Sequence, residues 1–227
     1  MEKIITEQKN EIQELKEWKT KYDKEIERIM QTKENEESIK KIDSKIIKSK
    51  KEIDFLEKRL KRDDPMLMKR TVIYKLLYRA TKYGNSAYSF HQKCDNIFGT
   101  LTIIKTSKGM RFGGYTEKSW STDGNSGATK KDNKGIAFCY SLDLFKIYNN
   151  IDTAESSIIC YNNEGPDFYG GDSCMFDIYF PIDTRLSVTG YKKSDTSYGQ
   201  IEKDYEINNG ESYFVMQELE VFQILFD

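Results

Sequence analysis

Glycine is absent from the first third of this chain. All 14 glycines lie at or after Gly84, and residues 1–64 also lack proline and cysteine, whereas 35 of these residues are charged. Because glycine and proline mark turns and helix ends, a long stretch without them favours uninterrupted helix. The motif RDDPM then places Pro65 after two aspartates, and proline disfavours helical geometry at the residue before it. The sequence therefore predicts two parts, a coiled-coil helical segment at residues 1–64 and a separate domain at residues 65–227.

The N-terminal segment carries a heptad repeat. The residues at positions a and d of this repeat are Ile5, Ile12, Lys19 and Ile26 at a, and Leu15, Tyr22 and Ile29 at d. Apolar residues at a and d, with charges at most other positions, predict a coiled coil and hence a homo-oligomer. The lysine at one a position weakens this seam without abolishing it. The alternative interpretation is a solvated charged helix with no defined partner.

A second apolar series follows after a one-residue slip in the heptad register. Its members are Ile39, Ile42, Ile46, Ile53, Leu56 and Leu60. One continuous helix through Leu60 would be about 90 Å long, with a local distortion at the slip. The alternative is a chain that folds back near residues 33–36 as an antiparallel hairpin. Since neither glycine nor proline marks a turn there, the sequence favours the continuous helix.

Charge and cysteine content argue against several kinds of partner. The chain has 36 Lys and Arg against 37 Asp and Glu, so it lacks the basic excess typical of nucleic-acid-binding proteins. Its four cysteines lack CxxC spacing and it has one histidine, a poor match to a zinc site. No stretch has the length and hydropathy of a signal peptide or a membrane span. We therefore expect a soluble cytoplasmic protein without a transmembrane segment, nucleic-acid partner, metal or cofactor.

The second part begins with helical patterns and continues with strand patterns. Apolar residues at helical spacing predict a helix over Met66–Lys82, and Ser86 or Asn85 can cap a second helix whose Ala87, Phe90 and Cys94 share one face. Short β-rich segments follow, and they are TLTIIKT, MRFGGY, GIAFCYSL, SSIICYN, CMFDIYF and YFVMQELEVFQILF. The alternation in the last segment predicts a bulge near Gln217 or burial on both faces. Because no helix-length crossover separates successive strands, the fold class is α+β, mostly β, a two-sheet antiparallel sandwich with short flanking helices.

Three groups of residues in this part could carry chemistry. Gly113 with Gly114, and Gly170, could cradle an anion through backbone amides, but they lack the lysine and the helix of a phosphate loop, so structural glycines are favoured. His91 and Cys94 lie three residues apart on one helix and could form a thiol–imidazole pair. The third group is a set of carboxylates in or near turns: Glu117, Asp123, Glu164, Asp167 and Asp172. Because carboxylates also cap turns, the sequence predicts no catalytic, cofactor-binding or metal-binding residue.

Five ordered blocks in this part resemble the TLDc domain over Met66 to Asp227. They are LLYRATKYGNSAYSFHQKCD, TLTIIKTSKGMRFGGYTEKSW, GIAFCYSL, GPDFYGG and ELEVFQI, and the motif positions within them are Arg79, Ser86, Phe90, His91, Cys94, Gly113, Gly114, Trp120, Gly165, Gly170 and Gly171. The resemblance implies a two-sheet β-sandwich flanked by short helices. It also implies a role in resistance to oxidative stress or in regulating the vacuolar proton-pumping ATPase, and it brings no catalytic residue or cofactor.

The leading hypothesis is a non-enzymatic interaction module, oligomeric through its N-terminal helix, that docks on the proton pump at endomembranes. A second hypothesis is a thiol-based redox enzyme or scavenger that uses Cys94. A third is a coiled-coil scaffold on which the sandwich serves as a targeting domain.

Overall fold

The architecture is that of an α+β protein in which β-structure predominates, as predicted. A computed structural model describes residues 1–62, 64–132, 134–150, 156–170, 173–176, 178, 186–187, 205–211 and 213–227. The described helices are α1 (Glu2–Lys40), α2 (Lys50–Lys61), α3 (Pro65–Met68), α4 (Ala80–Tyr83) and α5 (Ala87–Cys94), with a 3₁₀ turn at Glu206–Asn208. The described strands are β1 (Val72–Arg79), β2 (Thr100–Thr106), β3 (Arg111–Thr116), β4 (Ala128–Lys131), β5 (Phe138–Ser141), β6 (Lys146–Asn149), β7 (Ser156–Cys160), β8 (Phe168–Gly170), β9 (Ser173–Phe176), β10 (Leu186–Ser187), β11 (Tyr213–Phe214) and β12 (Met216–Phe226).

A six-stranded antiparallel sheet forms the centre of the fold, with the strand order β1-β12-β2-β3-β5-β6. Strand β12 lies between β1 and β2, so the last strand of the chain closes the sheet onto its first strand. The register shifts between Met216 and Glu218, which confirms the predicted bulge near Gln217. All of Glu218–Phe222, after the bulge, are buried, because side chains that alternate between the two faces of the strand are covered on both.

Separate apolar layers cover the two faces of this sheet. On one face α5 and the short ladders β4–β7 and β8–β9, joined by a bridge between Ile159 and Asp167, form the second layer of the sandwich. The cluster on this face includes Phe90, Trp120 and Phe168. The cluster on the opposite face joins Leu101, Ile103, Phe138, Tyr140 and Phe222 of the sheet to Ile42, Ile46, Ile53, Leu56 and Leu60. The central strands of the six-stranded sheet are therefore buried on both sides.

The prediction of one continuous helix through Leu60 was wrong, because α1 ends at Lys40 and α2 begins at Lys50. In the intervening segment the backbone amide of Lys45 donates to Glu220 Oε1 over 2.8 Å, and the amides of Ile46 and Ile47 donate to Ser44 Oγ over 3.0 Å. These amides therefore bond to side chains and not to helical carbonyls. One acceptor lies on β12, far along the chain, whereas Ser44 and the α2 N-cap Ser49, which accepts from the Glu52 amide, mark the break locally without glycine or proline.

The second apolar series is part of the domain core and not a coiled-coil seam. Of its members, Ile42, Ile46, Ile53, Leu56 and Leu60 are buried against the sheet. A helix that packs on a sheet needs the same apolar spacing as one that packs on another helix, so periodicity cannot tell the two apart. The predicted division at residue 64 stays a prediction, and the packing of α2 favours a boundary near residue 41.

The predicted helix over Met66–Lys82 was also largely wrong. Asp64 caps the short helix α3 by accepting from the Met66 amide over 2.8 Å, but residues Val72–Arg79 form β1 and pair with β12. A short apolar run fits the helical period and the strand period, and here hydrogen bonding to β12 made this run a strand. The second predicted helix is confirmed as α5, with Ser86 as its N-cap and Ala87, Phe90 and Cys94 buried.

Candidate functional site

The predicted thiol–imidazole pair lies in α5, and each member has a structural environment. Cys94 is fully buried in the cluster that contains Phe90, and burial raises the pKa of its thiol well above the ordinary value. The His91 ring places Nδ1 2.7 Å from Asp95 Oδ1 and Nε2 2.8 Å from the carbonyl oxygen of Tyr161. Both ring nitrogens are thus occupied: Nε2 connects α5 to the end of β7, and Nδ1 contacts the C-cap residue of α5 itself. A nucleophilic cysteine requires an accessible thiolate, so this geometry does not favour the Cys94 hypothesis.

The glycine pair in β3 allows close packing on both faces of the sheet. A Cβ atom on Gly113 would overlap the Thr102 carbonyl oxygen and lie 2.7 Å from the Tyr140 hydroxyl. That hydroxyl donates to the same carbonyl over 2.8 Å. A Cβ atom on Gly114 would lie 2.6 Å from the ring of Phe168 in the second layer. The structural interpretation of these glycines is therefore confirmed. Gly171 lies outside the described residues, as do the surroundings of Gly170.

The candidate carboxylates are not assembled into one site. Glu117 accepts from Arg62 Nη1 over 3.0 Å, whereas Asp123 accepts from Ser121 Oγ over 2.8 Å and lies 3.1 Å from Lys130 Nζ. These partners, Ser121 first, lower the pKa of Asp123, while partial burial raises the pKa of Glu164. Asp172 lies outside the described residues. Within the described ranges, no three His, Cys, Asp or Glu side chains are grouped so that they could hold a metal ion.

A buried ionic cluster that the sequence interpretation missed joins the segment after α1 to the sheet. Arg79 Nε donates to Glu220 Oε1 over 2.8 Å, and its Nη2 lies 3.0 Å from Asp43 Oδ1. Glu220 is fully buried, and its second oxygen accepts from Ser44 Oγ over 2.5 Å. We call this group, with the Lys45 amide, the Glu220 cluster. The signal in the sequence was the pair of glutamates, Glu218 and Glu220, among the apolar residues of the last strand, since a carboxylate buried there requires a partner.

A second buried ionic cluster joins α2 to the same sheet. Arg111 Nη1 lies 2.8 Å from Glu52 Oε1, and Arg111 Nη2 lies 2.7 Å from Asp143 Oδ1. The other oxygen of Glu52 accepts from the Lys48 amide over 2.7 Å. Glu52 follows the N-cap Ser49 by three residues, the spacing of a capping box, but this local signal did not reveal its partner Arg111. The two clusters hold residues 43–52 on the sheet by directional bonds in addition to apolar contact.

Helix α1 exposes an apolar stripe that the rest of the described chain does not cover. Its members are Ile12, Leu15, Tyr22, Ile26 and Ile29, and their exposed fractions range from 39% to 65%. The ring of Trp18, beside the stripe, stacks on Tyr22 with the centroids 5.2 Å apart. We call these five residues the α1 stripe. The side chain of Ile5, the first predicted seam residue, lies outside the described residues. Repeated apolar side chains along one helix face are able to bind another helix.

A family model for the TLDc domain matches residues 41–225 of this chain. The chain belongs to the TLDc family. The match begins upstream of Met66, so it takes in both α2 and the segment that the Glu220 cluster holds on the sheet. Both ionic clusters and the glycine pair are therefore parts of the TLDc domain, while α1 precedes it. A comparison with curated proteins finds no match.

None of the described helices of this TLDc protein is both long enough and apolar enough to cross a membrane. The surface feature that stands out is α1, which lies outside the domain match and carries its apolar residues on the exterior.

Proposed function

We propose that this TLDc protein is a non-enzymatic interaction module that self-associates through α1 and docks its TLDc domain on the vacuolar proton-pumping ATPase. The observation that carries the proposal is the placement of the α1 stripe outside the family match, on a helix that belongs to no part of the domain core. The identity of the partner comes from the family, several members of which bind this pump. In this proposal the protein works in the cytoplasm, at the surface of endomembranes, through its partner.

The structural use of the polar and ionisable groups inside the domain supports a binding role for its surface. Cys94, Cys139 and Cys160 are buried and unpaired, and burial raises the pKa of each thiol. The glycines of β3 serve close packing, and the buried charges of Arg79 and Arg111 are matched by carboxylates. These groups are used in holding the fold together. Binding through surface contacts does not require a reactive group in the domain interior.

Self-association would increase the affinity of a weak docking surface. Two domains linked by one coiled coil raise apparent affinity by about 10²–10⁴ when both reach their sites at once. The gain requires a partner that presents more than one site within reach of the linked pair, as an assembly with repeated subunits does.

The test is retention on immobilised, purified proton pump. Three proteins are compared: the full chain, residues 41–227, and a full-length variant that carries Ile12→Asp and Ile26→Asp. We expect all three to bind, with the second and third dissociating faster because they lack self-association. Failure of every form to bind would overturn the pump as partner. Equal dissociation rates for the three would overturn the contribution of self-association.

A cellular readout addresses the oxidative-stress role that the family also implies. Loss of the protein should sensitise cells to peroxide, and the Cys94→Ala variant should restore resistance as well as the parent does. If the variant fails while its folding and pump binding are intact, the thiol-based hypothesis replaces the one proposed here.

A further inference from the structure

The α1 stripe lies on the side of α1 that faces away from the domain. The domain contacts α1 near its C-terminal end, where the Lys50 amide donates to Asn35 Oδ1 over 2.6 Å and where Ser38 and Ile39 are half-buried. At 3.6 residues per turn, Asn35 is on the opposite side of the helix from Ile26 and Ile29. A second helix can therefore lie along the whole stripe without meeting the contact between α1 and α2.

We propose that the occupant of this stripe is α1 of a second copy of the chain, bound antiparallel in one register. In that register Ile12 faces Ile29 of the second copy, Leu15 faces Ile26, and Lys19 faces Tyr22. This inference rests on the self-association in the proposed function and adds to it the direction and the alignment of the two helices. The helices overlap over nearly all of Glu2–Lys40, which places the two TLDc domains at opposite ends of the rod.

Lys19 decides the direction. In a parallel, in-register pair each a position meets its own copy, so two Lys19 ammonium groups would face each other in the middle of the seam. In an antiparallel pair a positions meet d positions, so Lys19 meets Tyr22 of the second copy. The Tyr22 ring is stacked on Trp18 within its own helix, at an interplanar angle of 9°. A lysine over the face of such an aromatic pair gains a cation–π interaction in place of a like-charge contact.

The charges beside the seam decide the register. Lys16 and Asp23 both occupy position e, and antiparallel packing brings e positions of the two helices together. The proposed alignment forms two Lys16–Asp23 pairs related by symmetry. A shift of one heptad in either direction sets Lys16 against Lys16 or Asp23 against Asp23. Both shifts also bring glutamates at g together, Glu11 with Glu25 or Glu25 with Glu25. Opposite charges flanking the seam are the usual determinant of coiled-coil alignment.

Disulfide trapping tests the direction with the full-length chain. Leu15→Cys and Ile26→Cys are made singly in a Cys174→Ser background, so that the remaining native thiols are the three buried ones. Each variant is oxidised alone and in an equimolar mixture. We expect the disulfide-linked dimer in the mixture and little of it in either variant alone. Cross-linking of each variant with itself would show a parallel pair and overturn the inference.

Charge exchange tests the register by sedimentation equilibrium. Lys16→Glu should raise the dimer dissociation constant about 3- to 30-fold, since two exposed ion pairs are lost, and adding Asp23→Lys should restore it. Glu17→Lys, on the outer face of the helix, is the control and should leave it unchanged. If Glu11→Lys, and not Asp23→Lys, restores the dissociation constant of the Lys16→Glu variant, the helices are parallel and the inference is overturned. A parent chain that sediments as a monomer would overturn both this inference and the proposed self-association, whereas retention on the pump would still support the proposed partner.

Discussion

Arg79 and Glu220 form an ion pair of 2.8 Å between β1 and β12, and both side chains are buried. Their side chains are 6% and 0% exposed, so each charge depends on the other and on the polar groups that residues 43–45 supply. The ion pair therefore connects the pairing of β1 with β12 to the position of residues 43–45, which follow α1.

Removal of the Glu220 carboxylate should strongly destabilise the domain. In Glu220→Ala the Arg79 guanidinium keeps only the Asp43 contacts, and the Lys45 amide loses its acceptor, so we expect the free energy of unfolding to fall by about 3–5 kcal/mol. The control is Glu211→Ala, which breaks the exposed Lys108–Glu211 pair and should cost less than about 1 kcal/mol. Urea denaturation followed by tryptophan fluorescence measures both. Similar losses for the two variants would contradict a special role for the Glu220 cluster.

The two glycines of β3 should differ in their tolerance of a methyl group. In Gly113→Ala the new Cβ meets backbone, which cannot move away without disrupting the β2–β3 pairing, so we expect a loss above about 3 kcal/mol. In Gly114→Ala the Phe168 ring must shift, at a cost of about 1–3 kcal/mol. Gly109→Ala is the control: it meets no atom within 4 Å and only its backbone, at φ +92°, is strained. Thermal unfolding of the three variants should follow this order, and equal effects at Gly113 and Gly109 would contradict the overlap.

Stability should fall as the pH rises above about 9. Burial raises the pKa of the Cys160 thiol from 9.0 to about 12 and the pKa of the Tyr115 hydroxyl from 10.0 to about 12. The unfolded chain releases these protons at lower pH than the folded chain does, so the unfolded state is favoured progressively through that interval. Each group contributes a slope of at most about 1.4 kcal/mol per pH unit. Unfolding free energies measured from pH 7 to 11 should show the decline, and Cys160→Ala with Tyr115→Phe should make it shallower, leaving the part that other buried groups such as Cys94 and Cys139 contribute. An unchanged slope in the double variant would assign the decline to other groups.

The Cys94 thiol should react slowly in the folded protein. Because the thiol is buried and its pKa is raised, alkylation near neutral pH has to await opening of the core, and we expect it to be at least about 100-fold slower than in urea. Mass spectrometry of iodoacetamide-treated protein assigns the rate to each cysteine. Rapid native labelling of Cys94 would favour the thiol-based hypothesis.

Truncation should reveal where the folded domain begins. Residues 41–227 retain α2 and both ionic clusters, so we expect this fragment to unfold cooperatively. Residues 66–227 lack Glu52 and the apolar residues of α2, which leaves Arg111 short of a partner and uncovers one face of the sheet. We expect this shorter form to aggregate or to lose cooperative thermal unfolding. A stable, cooperative 66–227 fragment would restore the boundary predicted at residue 64.

Local signals were sufficient for several elements. Ser86 caps α5 through the Ser89 amide, and the alternation in the last strand placed the bulge at Gln217. The glycine pair indicated a close approach between segments of the chain, although the residues that approach, Thr102 and Phe168, come from elsewhere in the sequence. Each of these predictions depends on bonds or spacings within a few residues.

The sequence by itself determined which residues had to be covered, since apolar spacing and the need to pair a buried charge are properties of the chain. Only the tertiary structure decided what covers them. The sheet covers Leu56, and pairing with β12 holds Val72–Arg79 as a strand. Glu220 accepts a hydrogen bond from the Lys45 amide, in the segment where a continuous α1 was predicted. The physical reason is that apolar burial is non-directional and accepts any covering surface, whereas the bonds that select one surface join residues far apart in the chain.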